Sequence, residues 1–448
     1  MTVLYYTLGV VIFVVAILVS IALHELGHMV WAKRFGGKVT QFFVGFGNTV
    51  WSKKIGETEY GIKAIPLGGF VKIVGMLPPE KDSVEETVVD EHGNQSIRIR
   101  QSNTGMFTQL ISDARAAEWE LVQPEDHDRL FYRMAWWKKV IVMAAGPTVN
   151  ILIAFFIFAG LFATYGNIGD QRSEPVVAGV QPCIVPFEES GRQCTPADPT
   201  SPAADAGLEE GDRIVAFNGT EINGDWDKLS ELIRSNADNA AVITVVRDGK
   251  RTDLETETVV SDRPTSLSDQ SLTAVGFLGV EPNAYIATGG VFYTLDQMGT
   301  MTVQTAQALT TLPAKVWDVG QAIVGLEKRD PEGPMSLVGG GRIAGETAAH
   351  EEFPVKEKAV MLLMLIAGFN FFIGMFNFVP LLPLDGGHIA GALWEGLRRG
   401  IAKLRRKPDP GYVDVARLLP IAYVVAGAFL VMSLVLIVGD LVVPISIT

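Results

Sequence analysis

Residues 1–31, MTVLYYTLGVVIFVVAILVSIALHELGHMVW, run for 23 positions without a charged side chain and then straight into His24-Glu25-Leu26-Gly27-His28. Roughly 20 apolar residues suffice for a helix to cross a hydrocarbon core, so this stretch reads as a membrane span that carries two histidines and a glutamate at its end. A spacing of four puts both imidazoles on one face of a helix, where they can share one zinc ion, and sets Glu25 beside the metal's water as a general base. A charged side chain within a span costs about 2.5 to 3.5 kcal/mol on insertion scales, which favours a functional reading over histidines that merely snorkel to the interface. A cleaved signal peptide is the competing reading of the first stretch. No Lys or Arg precedes Lys33, and no A-x-A site follows the apolar run.

The rest of the chain agrees with a membrane setting. Its 448 residues are 48% hydrophobic and 19% charged, with a mean hydropathy of +0.26, which excludes an ordinary soluble enzyme, a disordered chain and a disulfide-dense secreted scaffold. Residues 140 to 165, 359 to 384 and 418 to 439 also lack charged side chains, giving four transmembrane helices, at 1–31, 138–165, 359–384 and 418–443. Residues 395–417 hold seven basic and three acidic side chains, and Lys33, Arg34, Lys38, Arg133, Lys138 and Lys139 crowd the ends of the first two spans. Both connections are therefore expected in the cytoplasm. Residues 166 to 358 hold 30 acidic and 15 basic side chains, so that region, like both termini, is expected outside. No basic stripe with interleaved aromatics occurs away from the spans, so nucleic-acid binding is not expected.

Between the first two spans, 38–76 alternates β-branched and aromatic residues with glycines and reads as hairpins, apolar enough to dip into the membrane. Residues 77–135 form a polar insertion with one short helix around Phe107 to Glu120. In the external region, 174–261 has a capped helix start at Ser201, an alternating strand over Asp212 to Gly219, a helix from Trp226 to Arg234, and a further strand and hairpin over Ala241 to Arg251. Cys183 and Cys194 both fall there, where an oxidising environment would let them pair; two free thiols remain the alternative. Residues 264–358 read as a strand, Val275 to Val280, followed by amphipathic helices, with breaks at Gly333-Pro334 and Gly339-Gly340-Gly341.

A catalytic zinc needs a third protein ligand and an open position. Asp385 is the sole acid between Glu357 and Glu395. It follows a proline-broken helix, is followed by two glycines, and stands at the same end of the membrane as His24 and His28, although it could instead cap a helix starting near Ile389. Asn150 and Asn377 are polar groups within spans that could hold a substrate backbone or an oxyanion, or simply join helices. His388 reads as a supporting residue, since a fourth ligand would fill the open position. Zinc is inferred from the ligand set, which would also accept neighbouring first-row metals.

Three runs together resemble the site-2 protease family of intramembrane zinc metalloproteases: H-E-L-G-H, Gly146-Pro147-Thr148-Val149-Asn150, and the N-x-x-P-x-x-P-L-D-G-G run from Asn377. Ala206-Gly207-Leu208, Gly211-Asp212-Arg213-Ile214 and Asn218-Gly219 resemble a bacterial PDZ domain, a module that binds extended peptides or C-termini, and its place between spans two and three is similar to the bacterial regulator-of-sigma type. The resemblance implies a polytopic α-helical membrane protein with four transmembrane helices, a membrane-re-entrant β-hairpin sheet and an external PDZ-like α+β domain. It implies His24, His28 and Asp385 as Zn²⁺ ligands, Glu25 as base, and Asn150 and Asn377 near the active site. Its expected setting is the bacterial cell membrane, with the active site near the cytoplasmic side, and its expected substrate is a single-span protein, typically an anti-sigma factor. One PDZ domain rather than two and the long 77–135 insertion depart from some relatives and bear on substrate selection. A metal or proton transporter and a metal-free scaffold are the alternatives; the first would show acidic or His positions repeated through inverted repeats, and the second has no use for an intact H-E-x-x-H.

Overall fold

The computed structural model describes residues 2–79, 84–89, 95–100, 106–119, 122–189, 192–264 and 271–445. It divides into two compact units, Met1–Leu161 with Gly290–Thr448, and Phe162–Gly289. Among the described residues four helical segments are long and apolar enough to cross a membrane, Thr2–Arg34, Trp136–Thr164, Val355–Asn377 and Val415–Val442. This is a polytopic membrane protein.

In the first unit, α1 (Thr2–Arg34) ends on Lys33 and Arg34, and the chain reverses into β1 (Val39–Ile55) and β2 (Thr58–Ile73), an antiparallel pair with an irregular register. Gln41 to Val44 face two partners each: 72 falling to 69 on one side, and 59 rising to 62 on the other. The hairpin is thus folded over on itself, and residues 69–73 pair on one side only. A small hairpin of β3 (Val84–Val89) and β4 (Gln95–Arg100) follows, then α2 (Met106–Trp119), where a helix is expected, and α3 (Trp136–Thr164).

Helix α2 is tied to what lies around it. Trp119 is fully buried and donates from Nε1 to the Leu77 carbonyl at 3.1 Å. Glu118 accepts the backbone N–H groups of Gly75 (2.9 Å) and Met76 (3.2 Å), just past the end of β2, and burial pushes its carboxyl above the usual range. Arg115 reaches Asp414 at 2.6 Å.

The second unit contains β5 (Gln171–Val180), α4 (Pro202–Asp205), β6 (Arg213–Phe217), β7 (Thr220–Glu221), α5 (Trp226–Ser235), β8 (Ala240–Arg247), β9 (Lys250–Glu257), β10 (Val259–Pro264), β11 (Leu272–Phe277) and β12 (Val280–Ile286). The main sheet runs β12-β5-β6-β8-β9 with β7 beside β6, and β10 pairs with β11. Helix α5 starts on an Asp225 cap that accepts from the Lys228 amide at 3.0 Å, and buries Leu229 and Ile233 against Ile214, Phe217, Ile243 and Val245. The buried Asp212 accepts from Arg247 Nε and Nη2, each at 2.7 Å, and the guanidinium holds its carboxyl below the usual range. Cys183 and Cys194 are disulfide-bonded.

The chain returns through α6 (Val291–Ile323), α7 (Leu337–Ala349), α8 (Val355–Asn377), α9 (Asp385–Leu404) and α10 (Leu419–Val442). Several boundaries differ from the sequence reading. The main sheet of the second unit extends past 261, because β12 closes its far side, and the expected strand from Val275 to Val280 is two strands separated by a turn at Gly279. Gly339, Gly340 and Gly341 do not break a helix but lie inside α7, buried. A Cβ on Gly340 would stand 2.6 Å from the Phe369 ring and 2.9 Å from that of Phe13, so the small residues let α7 pack closely between α1 and α8. The third span ends at Asn377 rather than 384, and much of the expected 395–417 loop is the helix α9.

Candidate metal centre

Four helices converge on a cavity of about 470 Å³ walled on another side by residues 68–71 of β2. The H-E-x-x-H run lies well inside α1, so the i,i+4 spacing sets His24 and His28 on one face, both buried. Helix α3 crosses α1 at this level because neither surface carries bulk. A Cβ on Gly27 would be 2.8 Å from the Ala145 carbonyl oxygen, and one on Gly146 would be 2.3 Å from His28 Nε2 and 2.8 Å from His24 Nε2. Asp385, the first residue of α9, brings its carboxylate to the same point. It follows the chain break at the end of α8 that Pro380 and Pro383 enforce, since a proline cannot continue the helical hydrogen-bond ladder.

Asp385 Oδ2 lies 3.2 Å from His24 Nε2 and 3.3 Å from His28 Nε2, and the two nitrogens are 3.2 Å apart. Ligands held at 2.0 to 2.1 Å on a tetrahedral ion stand about 3.3 Å from one another. The triangle therefore has the size of one face of a zinc coordination shell, and Asp385 Oδ2 is a buried oxygen with no hydrogen-bond partner. Neither nitrogen in the triangle is needed elsewhere. His24 donates through Nδ1 to Asn150 Oδ1 at 2.6 Å, and His28 through Nδ1 to the Val142 carbonyl at 2.8 Å. Such bonds fix the tautomer that leaves Nε2 unprotonated and aim the ring.

Behind His24 the network continues. Asn150 donates from Nδ2 to Asn370 Oδ1 at 3.1 Å, and Asn370 donates to the Ile366 carbonyl at 2.9 Å; both residues are fully buried. Both polar atoms of the Asn150 amide are thus engaged with the protein, which is the helix-joining use weighed in the sequence, while the residue also lines the cavity. Asn377 is half-buried, lines the cavity and donates from Nδ2 to the Ile373 carbonyl at 3.1 Å. Asn370 escaped the sequence reading, although it stands seven residues before Asn377, two turns back on the same helix face. His388 lines the cavity next to Asp385 without joining the triangle.

Glu25 completes the set. It lines the cavity beside the two histidines, with its Cγ 3.1 Å from where a Cβ on Gly69 would be, and the Val71 backbone as a hydrogen-bonding neighbour. A carboxylate in that place can take a proton from a group held at the triangle, next to a strand segment with one side unpaired.

The profile of peptidase family M50 matches residues 12–419. The chain belongs to that family. Among relatives, the M50 chain is 34% identical to the zinc metalloprotease Rip1 of Mycolicibacterium smegmatis over 99% of both proteins, and 33% identical to Rip1 of Mycobacterium tuberculosis H37Rv over 98% of both. It is 24% identical to the regulator of sigma-W protease RasP of Bacillus subtilis, covering 93% of this chain and 96% of that one. As an M50 peptidase the chain is a zinc-dependent proteolytic enzyme, in keeping with a donor triangle of the size zinc requires.

Proposed function

We propose that this M50 peptidase is an intramembrane endopeptidase that cuts the transmembrane segment of single-span proteins. The observation that carries the reading is the donor triangle of His24, His28 and Asp385, built on helices that span or adjoin the membrane, with Glu25 beside it. Zinc bound there would supply Lewis acidity, making water acidic enough to ionise near neutral pH and polarising a peptide carbonyl. The chain's own residues do the rest. Glu25 takes the proton from the attacking water and returns it to the departing amine. Asn150 and the Val142 carbonyl hold the imidazoles, and the Asn377 amide faces the substrate backbone.

A transmembrane helix hides its carbonyls in its own hydrogen bonds and must be unwound before attack. Residues 69–73, paired with β1 on one side only and lying along the cavity, offer a sheet edge to which an extended chain could add. The re-entrant placement of this hairpin belongs to the same reading. So does a PDZ-like role for the sheet and α5 of the second unit, taking an extended peptide or C-terminus on the outer side of a bacterial membrane. The distribution of Lys and Arg beside the spans supports the catalytic triangle lying near the cytoplasmic face. A substrate of the anti-sigma class belongs to the same proposal, and the likeness to a regulator of sigma-W protease supports it.

The test is cleavage of a reconstituted single-span substrate by purified wild type and Glu25→Gln, with bound metal assayed in both. Loss of product with metal retained is the expected result. Equal cleavage by the two would remove Glu25 from the chemistry.

A further inference from the structure

Helix α9 is amphipathic in the sense opposite to a helix at a protein–water surface. Its buried positions include Ala392, Glu395 and Ala402, with Glu395 1% exposed and paired with Lys139 at 2.7 Å. Leu393, Trp394, Leu397, Ile401 and Leu404 face outward, between 40% and 86% exposed. At 100° per residue these five fall within an arc of about 100° centred roughly opposite Glu395 and Ala402. Ionisable groups face in and large apolar groups face out, an arrangement stable only where the outer surroundings are themselves apolar.

The place of the helix supplies those surroundings. Its chain leaves one span at Asn377 and enters another at Val415, so α9 runs between two points at the membrane boundary. Arg398 and Lys403 flank the apolar arc, and Arg405, Arg406 and Lys407 follow the last turn, all three exposed. Arg399 is held by Glu395 and Asp409. Among the described residues no acidic side chain pairs with Lys403, Arg405, Arg406 or Lys407, so four positive charges are concentrated at one end of an outward apolar face. A helix with apolar residues on one side and a basic border lies in the plane of a bilayer interface and is drawn to anionic lipid.

We propose that α9 is an interfacial helix that seats Leu393, Leu397 and Leu404 among acyl chains and binds anionic phospholipid headgroups through Lys403, Arg405, Arg406 and Lys407. Its first residue is Asp385, so the same helix that contacts lipid carries one corner of the donor triangle.

The chain has no free cysteine, so Leu404→Cys provides a single site for a bimane label in the full-length protein. The labelled protein is placed in phosphatidylcholine nanodiscs containing equal small fractions of nitroxide-labelled phosphatidylcholine or nitroxide-labelled phosphatidylglycerol. Both lipids are expected to quench the label, phosphatidylglycerol about two-fold more strongly. Adding Lys403→Gln, Arg405→Gln, Arg406→Gln and Lys407→Gln is expected to bring the two lipids level without lessening quenching by phosphatidylcholine. Equal quenching in the labelled parent would overturn the headgroup site. Absence of quenching by either lipid, or cross-linking of the unlabelled cysteine between two copies, would show that water or a second copy covers the face. None of these readings depends on proteolysis.

Discussion

Replacing Gly146 by alanine would put a methyl carbon 2.3 Å from His28 Nε2 and 2.8 Å from His24 Nε2. Non-bonded carbon and nitrogen normally stay about 3.5 Å apart, so at least one imidazole must retreat by about 1 Å. Metal–ligand distances tolerate only about 0.2 Å. Disturbing residues that merely support ligands lowers metal affinity about 10- to 100-fold, so moving a ligand nitrogen itself should lower it by more than about 100-fold. The helix would not suffer, since alanine in a helix interior is favoured over glycine by about 1 kcal/mol. The measurement is zinc per chain after dialysis against a graded series of chelator concentrations, with far-ultraviolet circular dichroism to verify the helices. Gly160→Ala is the control, because a Cβ there meets nothing within 4 Å in the same helix. Full, tightly held zinc in Gly146→Ala would refute the placement of the two imidazoles against α3.

Asn370→Leu should lower zinc affinity about ten-fold by releasing Asn150 from its partner, and chelator competition on the purified variant would detect it. Proline at Val71 removes the edge strand's own N–H and should slow cleavage severely while zinc stays bound; unchanged cleavage would take strand addition out of the mechanism. Glu395→Leu leaves Lys139 buried without its carboxylate and should cost about 3 kcal/mol in denaturant unfolding, most of it recovered when Lys139→Met is added. In the second unit the Asp212 carboxyl lies below its usual range because of Arg247, so this pair's stabilisation is present above the unfolded-state carboxylate pKa and disappears as pH falls through the lowered one. Amide exchange at Val177, which donates to the Asp212 carbonyl, should accelerate in that acid window, and Asp212→Asn should abolish the difference.

How much of this could be read beforehand depended on whether a signal was local. The spans were legible because 20 apolar residues have few alternative uses, and H-E-x-x-H because its spacing alone puts two ligands on one face. Asp385 was legible by being the one acid in reach. Asn370 shared a face with Asn377 and could have been found by helical periodicity. The engagement of Asn150 could not, because its partners lie 126 and 220 residues away. The 395–417 stretch read as a loop because charge density outweighed the 3.6-residue repeat of Leu393, Leu397, Ile401 and Leu404. The glycine triplet read as a break because glycine disfavours helices in water, whereas inside a packed bundle its lack of a side chain is what allows neighbours to approach.

The distance along the chain between the corners of the donor triangle also orders events in time. His28 is made early, and Asp385 comes 357 residues later. At bacterial synthesis rates of about 5 to 20 residues per second, that interval is on the order of 20 to 70 seconds. Throughout it the nascent chain already displays two imidazoles and a glutamate in the bilayer, yet lacks the carboxylate that closes the triangle. A peptidase assembled in this order lacks its third metal donor while it is being inserted, and the triangle can close only after the second unit has been made and the third span has entered the lipid.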